Sequence, residues 1–391
     1  MQYNFDKIIH RKNTHCVKWD LSKKQCGDEY IIPMSIADMD FETVPEVKKA
    51  IIERAQEGVY GYTKINEGYY EAVTNWMMKR HCWEIKKQWI VISSGVVPAI
   101  NTIIRAFTHA GDKVILQSPV YYPFYKSIVR NGCGIVDNPL KFINEKYYMD
   151  FEDLEQKLKH PRVKLLILCS PHNPVGRVWT EEELKRLGEM CAENNVLIVS
   201  DEIHSDLIYK GYRHIPLATL SKQIQENSII CTAPSKTFNL AGLQVSNIII
   251  PNNRLRKEYT VQLENMAALS LNLFGIVACE TAYEYGEQWL NQLMDYLYEN
   301  KEIVKKYIRE KIPGLKIIEP EGTYLLWIDC RELGMNGTEL KSFMLTRAKI
   351  QFNEGFTFGK NGEGFERMNI ACPRDILKQA LKRIEKAVNN L

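Results

Sequence analysis

Six short apolar runs alternate with longer, helix-compatible segments between about residues 90 and 250, and this alternation limits the folds open to the chain. Strands buried on both faces read as continuous apolar runs, and parallel neighbours are joined by crossover segments. The sequence therefore predicts an α/β fold with a mostly parallel central sheet between helices. The runs are WIVIS (89–93), KVILQS (113–118), KLLILCS (164–170), VLIVSD (196–201), SIICTA (228–233) and VSNIII (245–250).

One helix start can be predicted residue by residue. Thr180, with Glu183 three positions later, has the pattern of a capping box, in which each residue bonds to the other's backbone N–H. Leu184, Leu187 and Met190 then follow at helical spacing, before the run VLIVSD. A helix is therefore predicted between the third and fourth apolar runs.

The chain beyond the last run predicts a second, smaller domain. Segment 276–311 is rich in helix-forming residues and has no proline, so we expect a long helix leading out of the sheet domain. A strand-like run at 321–329, a glycine-rich stretch at 353–365 and a final helix from Asp375 follow. We expect residues 1–45 to contribute to the small domain and to the edge of the active site, residues 46–285 to form a large cofactor-binding domain, and residues 286–391 to form the smaller α+β domain.

Overall charge argues against polyanionic partners. The chain has 391 residues, a formal net charge of +3 and no block of lysine or arginine residues. This balance implies neither nucleic acid nor an anionic membrane as a partner. Because 45% hydrophobic and 25% charged residues are typical of a globular protein with a large core, a small metabolite is the expected ligand.

Cysteine usage and the absence of long apolar stretches predict a cytoplasmic protein. The ten cysteines are scattered singly without a CxxC pair, which is typical of reduced thiols rather than a disulfide framework. The first residues, MQYNFDKIIHRKNTHCVKWD, contain no signal-peptide core. No stretch reaches the roughly 18 apolar residues of a membrane span.

Three polar groups follow three of the predicted strands. Asp201 ends VLIVSD, Asn173 follows KLLILCS, and Lys236 follows SIICTA. Active sites of open α/β sheets lie outside the carboxyl ends of the strands, so we expect these side chains to converge. A pyridoxal phosphate site needs such groups: an amine that holds the aldehyde as a Schiff base, an acid beside the pyridine nitrogen and a donor to the ring hydroxyl. The sequence therefore predicts pyridoxal 5'-phosphate as the cofactor.

The role predicted for Asp201 is supported by the expected strength of its electrostatic interaction with the pyridine nitrogen. A carboxylate about 4 Å from the pyridine nitrogen contributes on the order of 4 kcal/mol at an effective dielectric constant near 20, which corresponds to about three units of nitrogen pKa. That keeps the ring a cationic electron sink. An isolated acid at a strand end is more often a helix cap or a solvated loop residue, but the combination with Lys236 and Asn173 favours the catalytic interpretation.

A phosphate site is predicted where WIVIS ends. Ser94, Gly95, Val96 and Val97 follow this run and open a helix, so their backbone N–H groups and the helix N-terminus can bind an anion. Ser235, next to Lys236, can add a hydroxyl to the same phosphate.

Two further candidates are aromatic and cationic. Tyr121 and Tyr122 follow KVILQS, and we favour Tyr121 as a ring that stacks on the cofactor, with plain core packing as the alternative. Arg367 can direct a bidentate guanidinium at a substrate carboxylate, although an isolated arginine is usually a solvated surface residue.

With these motifs, the chain resembles the fold-type I pyridoxal phosphate enzymes of the class I/II aminotransferase superfamily. Within that branch it is most similar to the MalY/PatB-type cystathionine β-lyases, also called C–S lyases. The matching blocks span nearly the whole chain in the expected order: MSIADMDF (34–41), GVYGYT (58–63), SSGVVPAI (93–100), SPVYYPF (118–124), SPHNPVGRVWT (170–180), DEIHSDL (201–207), APSKTFNLAGLQ (233–244), EGTYLLWID (321–329) and RMNIACPR (367–374).

The resemblance implies roles for the cofactor-binding residues. Lys236 would be the Schiff-base lysine and general base, and Asp201 the partner of the pyridine nitrogen. Asn173 would donate to the ring hydroxyl, and Tyr121 would stack on the ring.

It also implies a substrate site and a partner subunit. Arg367 would bind the substrate α-carboxylate, and Ala37 and Asp38 would lie beside the substrate. Asn173 and Tyr62 would also contact it. Tyr62 resembles the tyrosine that reaches a neighbouring subunit's phosphate, which implies a homodimer with shared active sites.

Two positions depart from the aminotransferase pattern and match the β-lyase subgroup. Gln244 stands where many aminotransferases have an arginine, so the backbone N–H groups, Ser235 and Tyr62 should carry more of the phosphate binding. His204 stands where a tyrosine is usual. We count it among the cofactor-binding candidates, with a structural histidine as the equal alternative.

The activity implied by the resemblance is β-elimination. A C–S β-lyase of this type cleaves L-cystathionine or a related cysteine S-conjugate to a thiol, pyruvate and ammonia. An aminotransferase that uses the same lysine is the alternative, and a non-catalytic regulatory binding protein on the same fold is a third. The preferred sulfur amino acid cannot be predicted from the sequence.

Overall fold

A seven-stranded sheet forms the centre of the computed structural model, which describes residues 2–21, 30–269 and 271–391. In chain order the strands of these residues are β1 (Ile32–Pro33), β2 (Ile90–Ser93), β3 (Lys113–Leu116), β4 (Gly134–Asp137), β5 (Lys141–Ile143), β6 (Lys146–Tyr148), β7 (Val163–Cys169), β8 (Leu197–Asp201), β9 (Ser228–Thr232), β10 (Ser246–Ile249), β11 (Lys316–Ile318), β12 (Leu325–Asp329), β13 (Ile350–Gln351), β14 (Asn353–Glu354) and β15 (Phe365–Asn369).

The α-helices surround this sheet and a smaller one. In chain order they are α1 (Pro45–Gln56), α2 (Glu67–His81), α3 (Val96–Phe107), α4 (Pro123–Arg130), α5 (Phe151–Leu158), α6 (Glu181–Glu193), α7 (Lys222–Glu226), α8 (Pro234–Thr237), α9 (Asn253–Asn265), α10 (Leu273–Tyr285), α11 (Glu287–Lys311), α12 (Gly337–Phe343) and α13 (Arg374–Val388). Within the described residues, none of the helices combines the length and the apolar character needed to cross a bilayer.

The large sheet is mostly parallel, as the sequence predicts. Its strand order is β2-β10-β9-β8-β7-β3-β4. The five strands from β9 to β4 are parallel to one another, and β10 runs antiparallel to both β9 and β2. All six predicted runs contribute strands. The edge strand β4 is absent from the prediction because its half-buried sequence GIVD lacks a continuous apolar signal.

Both faces of the large sheet are buried. In β7, Leu166 and Leu168 pack into one apolar cluster, whereas Leu165 and Ile167 pack into a second cluster on the opposite face. This alternation follows from the period of two residues in a strand. The strand ends that carry polar groups are therefore held on a platform packed from both sides.

A four-stranded antiparallel sheet, of order β11-β12-β15-β14, lies in the C-terminal part of the chain. The predicted long helix is confirmed as α11, and the final helix begins at Arg374, one residue before the predicted start. The N-terminal segment joins this part, because β1 pairs in parallel with β13. The domain boundaries given above remain a prediction.

The capping box at the start of α6 gives a stability prediction. The Glu183 backbone N–H donates to the Thr180 hydroxyl at 3.2 Å, and the Glu183 carboxylate accepts from the Thr180 N–H at 2.9 Å. Thr180→Ala should lower the free energy of unfolding by about 1 kcal/mol, measured by urea denaturation. Thr180→Ser keeps the acceptor and should retain most of the stability; an equal loss in both variants would contradict the role of the cap.

Candidate functional site

A pocket lies at the carboxyl ends of β7, β8 and β9, beside the start of α3. Parallel pairing produces this convergence, because Cys169 and Asp201, the last residues of β7 and β8, are register partners. Lys236 lies in α8, which begins two residues after β9 ends. Eleven of the predicted site residues line the pocket: Ala37, Ser94, Gly95, Val96, Val97, Tyr121, Asn173, Asp201, His204, Ser235 and Lys236.

Asp201 is a buried carboxyl group that lacks a cationic hydrogen-bond partner in the described part of the chain. Its Oδ1 accepts from the Ile203 backbone N–H at 3.2 Å. Burial raises the pKa of Asp201 to about 7, although this N–H and the nearby Lys236 oppose the shift. A cation placed against this carboxylate would lower its pKa again, so the chemistry of the position fits the nitrogen of a protonated pyridine ring.

Lys236 directs its amine into the pocket. Its Nζ donates to the Ala37 carbonyl at 2.6 Å. Burial, followed by the charge of Arg367, lowers the pKa of Lys236 to about 8, against the opposing effects of Asp38 and Asp201. The unprotonated form of the amine, which imine formation and general-base chemistry both require, is therefore far more populated near neutral pH than in an ordinary lysine.

Arg367 is a buried cation, contrary to the usual surface position of an arginine. Its side chain is 2% exposed and lies over the Phe358 ring, 5.0 Å from guanidinium carbon to ring centroid. Its Nη1 donates to Asn173 Oδ1 at 3.0 Å, and its Nη2 donates to the Ser35 carbonyl at 3.1 Å and to Asn353 Oδ1. The buried Nε has no partner within the described residues. An unneutralised guanidinium with an unused donor fits a substrate carboxylate.

The bond from Arg367 also orients Asn173. With its side-chain oxygen accepting from the guanidinium, the Asn173 amide offers its N–H groups as donors. This orientation fits a hydroxyl or phenolate oxygen on the cofactor ring, which is the partner predicted for Asn173.

His204 is a neutral imidazole in the pocket wall. Burial, followed by the charges of Lys236 and Arg367, lowers its pKa well below the ordinary value. Its ring meets that of Tyr324 edge to face with centroids 6.0 Å apart, and its buried Nδ1 lacks a hydrogen-bond partner among the described atoms. The cofactor contact predicted for His204 stays a prediction, with a structural histidine as the alternative.

The anion end of the pocket is built from a helix start. Gly95 is the N-cap of α3, so the N–H groups of Val96 and Val97 belong to the first turn, whose donors have no partner within the helix. Ser235 and Gln244 line the same pocket. Unpaired N–H groups, a hydroxyl and a helix N-terminus fit a phosphate.

Three predicted residues, Arg367, Tyr62 and Asp38, are not among the residues that line the pocket, although Arg367 donates to the lining residue Asn173. Tyr62 does not line the pocket, and its side chain has a relative exposure of 110%. Asp38 forms an ion pair with Arg11 at 2.7 Å and is absent from the pocket wall. Tyr121 does line the pocket, and burial raises its pKa to about 12. The roles predicted for Tyr62, Asp38, Tyr121 and Arg367 stay predictions.

Several residues of the site were missed by the sequence analysis. Cys169 and Ile203 line the pocket, and their positions at the ends of β7 and β8 are the signal that could have identified them. Burial, with a further effect of Asp201, raises the pKa of the Cys169 thiol. The Tyr324 hydroxyl donates to the Ala37 carbonyl at 3.0 Å, and Asn353 holds Arg367. No sequence pattern marks these last two contacts, because both depend on tertiary packing.

The family model Aminotransferase class I and II matches residues 29–384. The chain belongs to this family. It is 42% identical over 386 residues to cystathionine beta-lyase PatB of Bacillus subtilis (strain 168), which covers 99% of this chain and 100% of the relative.

Two solved structures extend the likeness to three dimensions. Cystalysin from Treponema denticola, whose structure contains a pyridoxal 5'-phosphate cofactor, is 39% identical, with a TM-score of 0.97 and coverage of 100% of both chains. The PLP-bound C-S lyase from Staphylococcus hominis is 35% identical, with a TM-score of 0.92 and coverage of 99% of this chain and 98% of the other. The superfamily and fold predicted from the sequence are thereby confirmed.

The Asp201 pKa predicts a pH dependence of stability in the cofactor-free protein. Folding raises this pKa from 3.8 to about 7, so between these values the folded state binds more protons than the unfolded state. The contribution of Asp201 to the free energy of unfolding therefore falls as the pH rises. Asp201→Asn cannot ionise, and its melting temperature relative to wild type should rise across this range. The exposed Asp295→Asn is the control; identical pH profiles for wild type and Asp201→Asn would refute the assignment.

Proposed function

We propose that this protein is a pyridoxal phosphate-dependent C–S β-lyase that cleaves L-cystathionine or a related cysteine S-conjugate to a thiol, pyruvate and ammonia. The observation that carries the proposal is a buried lysine amine with a lowered pKa in one pocket with the buried carboxyl group of Asp201. The full-length likeness to a cystathionine β-lyase and to a PLP-bound C-S lyase supports this activity.

The residues proposed to hold the cofactor surround the pocket. Lys236 would bind it covalently, Asp201 would face the pyridine nitrogen, Asn173 would donate to the ring oxygen and Tyr121 would stack on the ring. The phosphate would lie against the N–H groups that begin α3, with Ser235 beside it. When bound, the cofactor supplies an electron sink that makes the substrate Cα–H bond acidic.

The remaining chemistry belongs to protein side chains. Arg367 would bind the α-carboxylate of the substrate and so fix the orientation of its Cα–H bond. The Lys236 amine, in its unprotonated form, would take the Cα proton as general base. Asp201 would stay ionised against the pyridine nitrogen, so that electrons leaving Cα are accepted. A thiolate leaving Cβ would complete the elimination, and addition of water to the remaining aminoacrylate would give pyruvate and ammonia.

Transamination is the second candidate, because the chain belongs to a family named for aminotransferases. Both reactions begin with removal of the Cα proton. They differ in whether that proton is delivered to the cofactor carbon or the sulfur leaving group departs first. The products therefore separate the two activities.

An exposed apolar and aromatic segment supports the proposal of a homodimer. Val59, Tyr60 and Tyr62 have relative exposures of 71%, 60% and 110%. We propose that a second copy of the chain covers this segment and that Tyr62 reaches the phosphate end of the partner's pocket. The unpaired cysteines of the described residues are consistent with the cytoplasmic location that we also propose.

The product assay tests the activity. With L-cystathionine, the reconstituted enzyme should release thiol and pyruvate in equal amounts, because elimination produces one of each. Lys236→Ala should lower the rate by roughly 10²-fold to 10⁴-fold or more, since it removes the general base as well as the covalent anchor. Formation of a keto acid without thiol would instead establish transamination and contradict the lyase assignment.

A subunit-mixing experiment tests the shared site. Tyr62→Phe and Lys236→Ala homodimers should both be impaired, whereas a heterodimer of the two contains one site with both native residues. Mixed, refolded and tag-purified heterodimers should therefore regain up to about half of the wild-type activity, as one of two sites is intact. Heterodimers confirmed by mass spectrometry that stay as inactive as the parents would argue against donation of Tyr62.

A further inference from the structure

The acceptor that meets the Lys236 amine is a backbone carbonyl in a tight turn. The Asp38 N–H donates to the Ile36 carbonyl at 2.9 Å, which closes a three-residue turn centred on Ala37. The Ala37 carbonyl accepts from Lys236 Nζ at 2.6 Å and from the Tyr324 hydroxyl at 3.0 Å. The direction of this carbonyl therefore depends on what holds the turn.

Asn369, the last residue of β15, holds the turn on both sides of Ala37. Its side-chain nitrogen donates to the Ile36 carbonyl at 2.7 Å and to the Asp38 carbonyl at 2.6 Å, and its oxygen accepts from the Ala371 N–H at 2.8 Å. The residue is 1% exposed. Both N–H bonds and the oxygen of the Asn369 amide are thus used, and the two carbonyls that flank Ala37 are occupied by this amide.

The same strand face also holds the arginine of the site. Arg367 and Asn369 are two residues apart in β15, so their side chains leave the same face of the strand. Arg367 donates to the Ser35 carbonyl at 3.1 Å, directly before the turn that Asn369 holds. One strand face therefore fixes both the guanidinium and the acceptor of the lysine amine.

We propose that Asn369 is a positioning residue that holds the Ala37 carbonyl against Lys236 and so sets the place and the proton affinity of the amine. This inference rests on the proposed function for its consequence in catalysis, because the positioned amine is the proposed general base. Asn369 acts through the backbone of the turn at Ala37 and does not itself line the pocket.

Loss of the Asn369 amide should change the titration of Lys236. A carbonyl acceptor stabilises the ammonium form, so its displacement in Asn369→Ala should lower the apparent pKa of the amine by about one unit. Three other charges act on the amine: Arg367 lowers its pKa, whereas Asp201 and Asp38 raise it. Asp38 belongs to the turn that Asn369 holds, so its displacement would lower the pKa of Lys236 in the same direction. His204, which the Lys236 charge also reaches, is neutral.

The measurement uses the cofactor-free protein. Competitive acetylation with acetic anhydride over a pH series, followed by mass spectrometry of the Lys236 peptide, gives the apparent pKa of this one amine. A lowered value in Asn369→Ala is expected. An unchanged value in a folded Asn369→Ala protein overturns the proposal.

The chain contains a matched control. Asn300, in α11, is fully buried and donates to the Ile370 and Cys372 carbonyls at 3.0 and 3.1 Å, so it holds two alternate carbonyls just beyond Asn369. Asn300→Ala should cost comparable thermal stability but leave the Lys236 titration unchanged. An equal pKa shift in Asn300→Ala would mean general loosening of the fold and would overturn the proposal.

A second variant keeps the test decisive if Asn369→Ala does not fold. Tyr324→Phe removes the second donor to the Ala37 carbonyl, which then accepts from Lys236 alone. The apparent pKa of Lys236 should therefore rise, by less than the decrease expected for Asn369→Ala. An unchanged or lowered value would overturn the proposal. Because acetylation requires no turnover, failure of this inference is separable from failure of the lyase activity, which the thiol and pyruvate assay measures independently.

Discussion

Burial of ionisable groups at the carboxyl ends of adjacent parallel strands is the constraint on which the rest of the site depends. Since β7, β8 and β9 lie side by side, Asn173, Asp201 and Lys236 meet in one pocket. Removing such groups from water costs free energy, and the cost is visible as a raised pKa for Asp201 and a lowered pKa for Lys236. The apolar clusters on both sheet faces hold these groups in place despite that cost.

Arg367 links substrate binding to the reactivity of the lysine. As a buried cation without a counter-ion in the described chain, it contributes to the lowered pKa of Lys236. A carboxylate bound to the guanidinium would neutralise this effect, so the amine would become more basic when a substrate is present. In the proposed mechanism, Arg367 would favour the unprotonated Lys236 amine while the site is free of substrate. Once the substrate carboxylate has bound to Arg367, Lys236 would accept a proton more readily.

The sheet and the centre of the site could be predicted because both depend on local patterns. Continuous apolar runs identified six strands, and a general rule about strand ends then brought Asn173, Asp201 and Lys236 together. The edge strand β4 lacks such a run, since its residues are half-buried. The contacts of Asn369 and Tyr324 with the turn at Ala37 join distant parts of the chain, and no local periodicity encodes a hydrogen bond between them.

The raised pKa of Cys169 bears on the sulfur chemistry proposed for this protein. Thiolate, rather than thiol, is the nucleophile in exchange reactions with disulfides. A thiol kept protonated in the pocket wall would therefore not attack a disulfide-containing amino acid or form a mixed disulfide with a sulfur product. In the proposed reaction, the pocket would therefore hold Cys169 beside disulfide-containing compounds without forming a covalent bond that blocks the site.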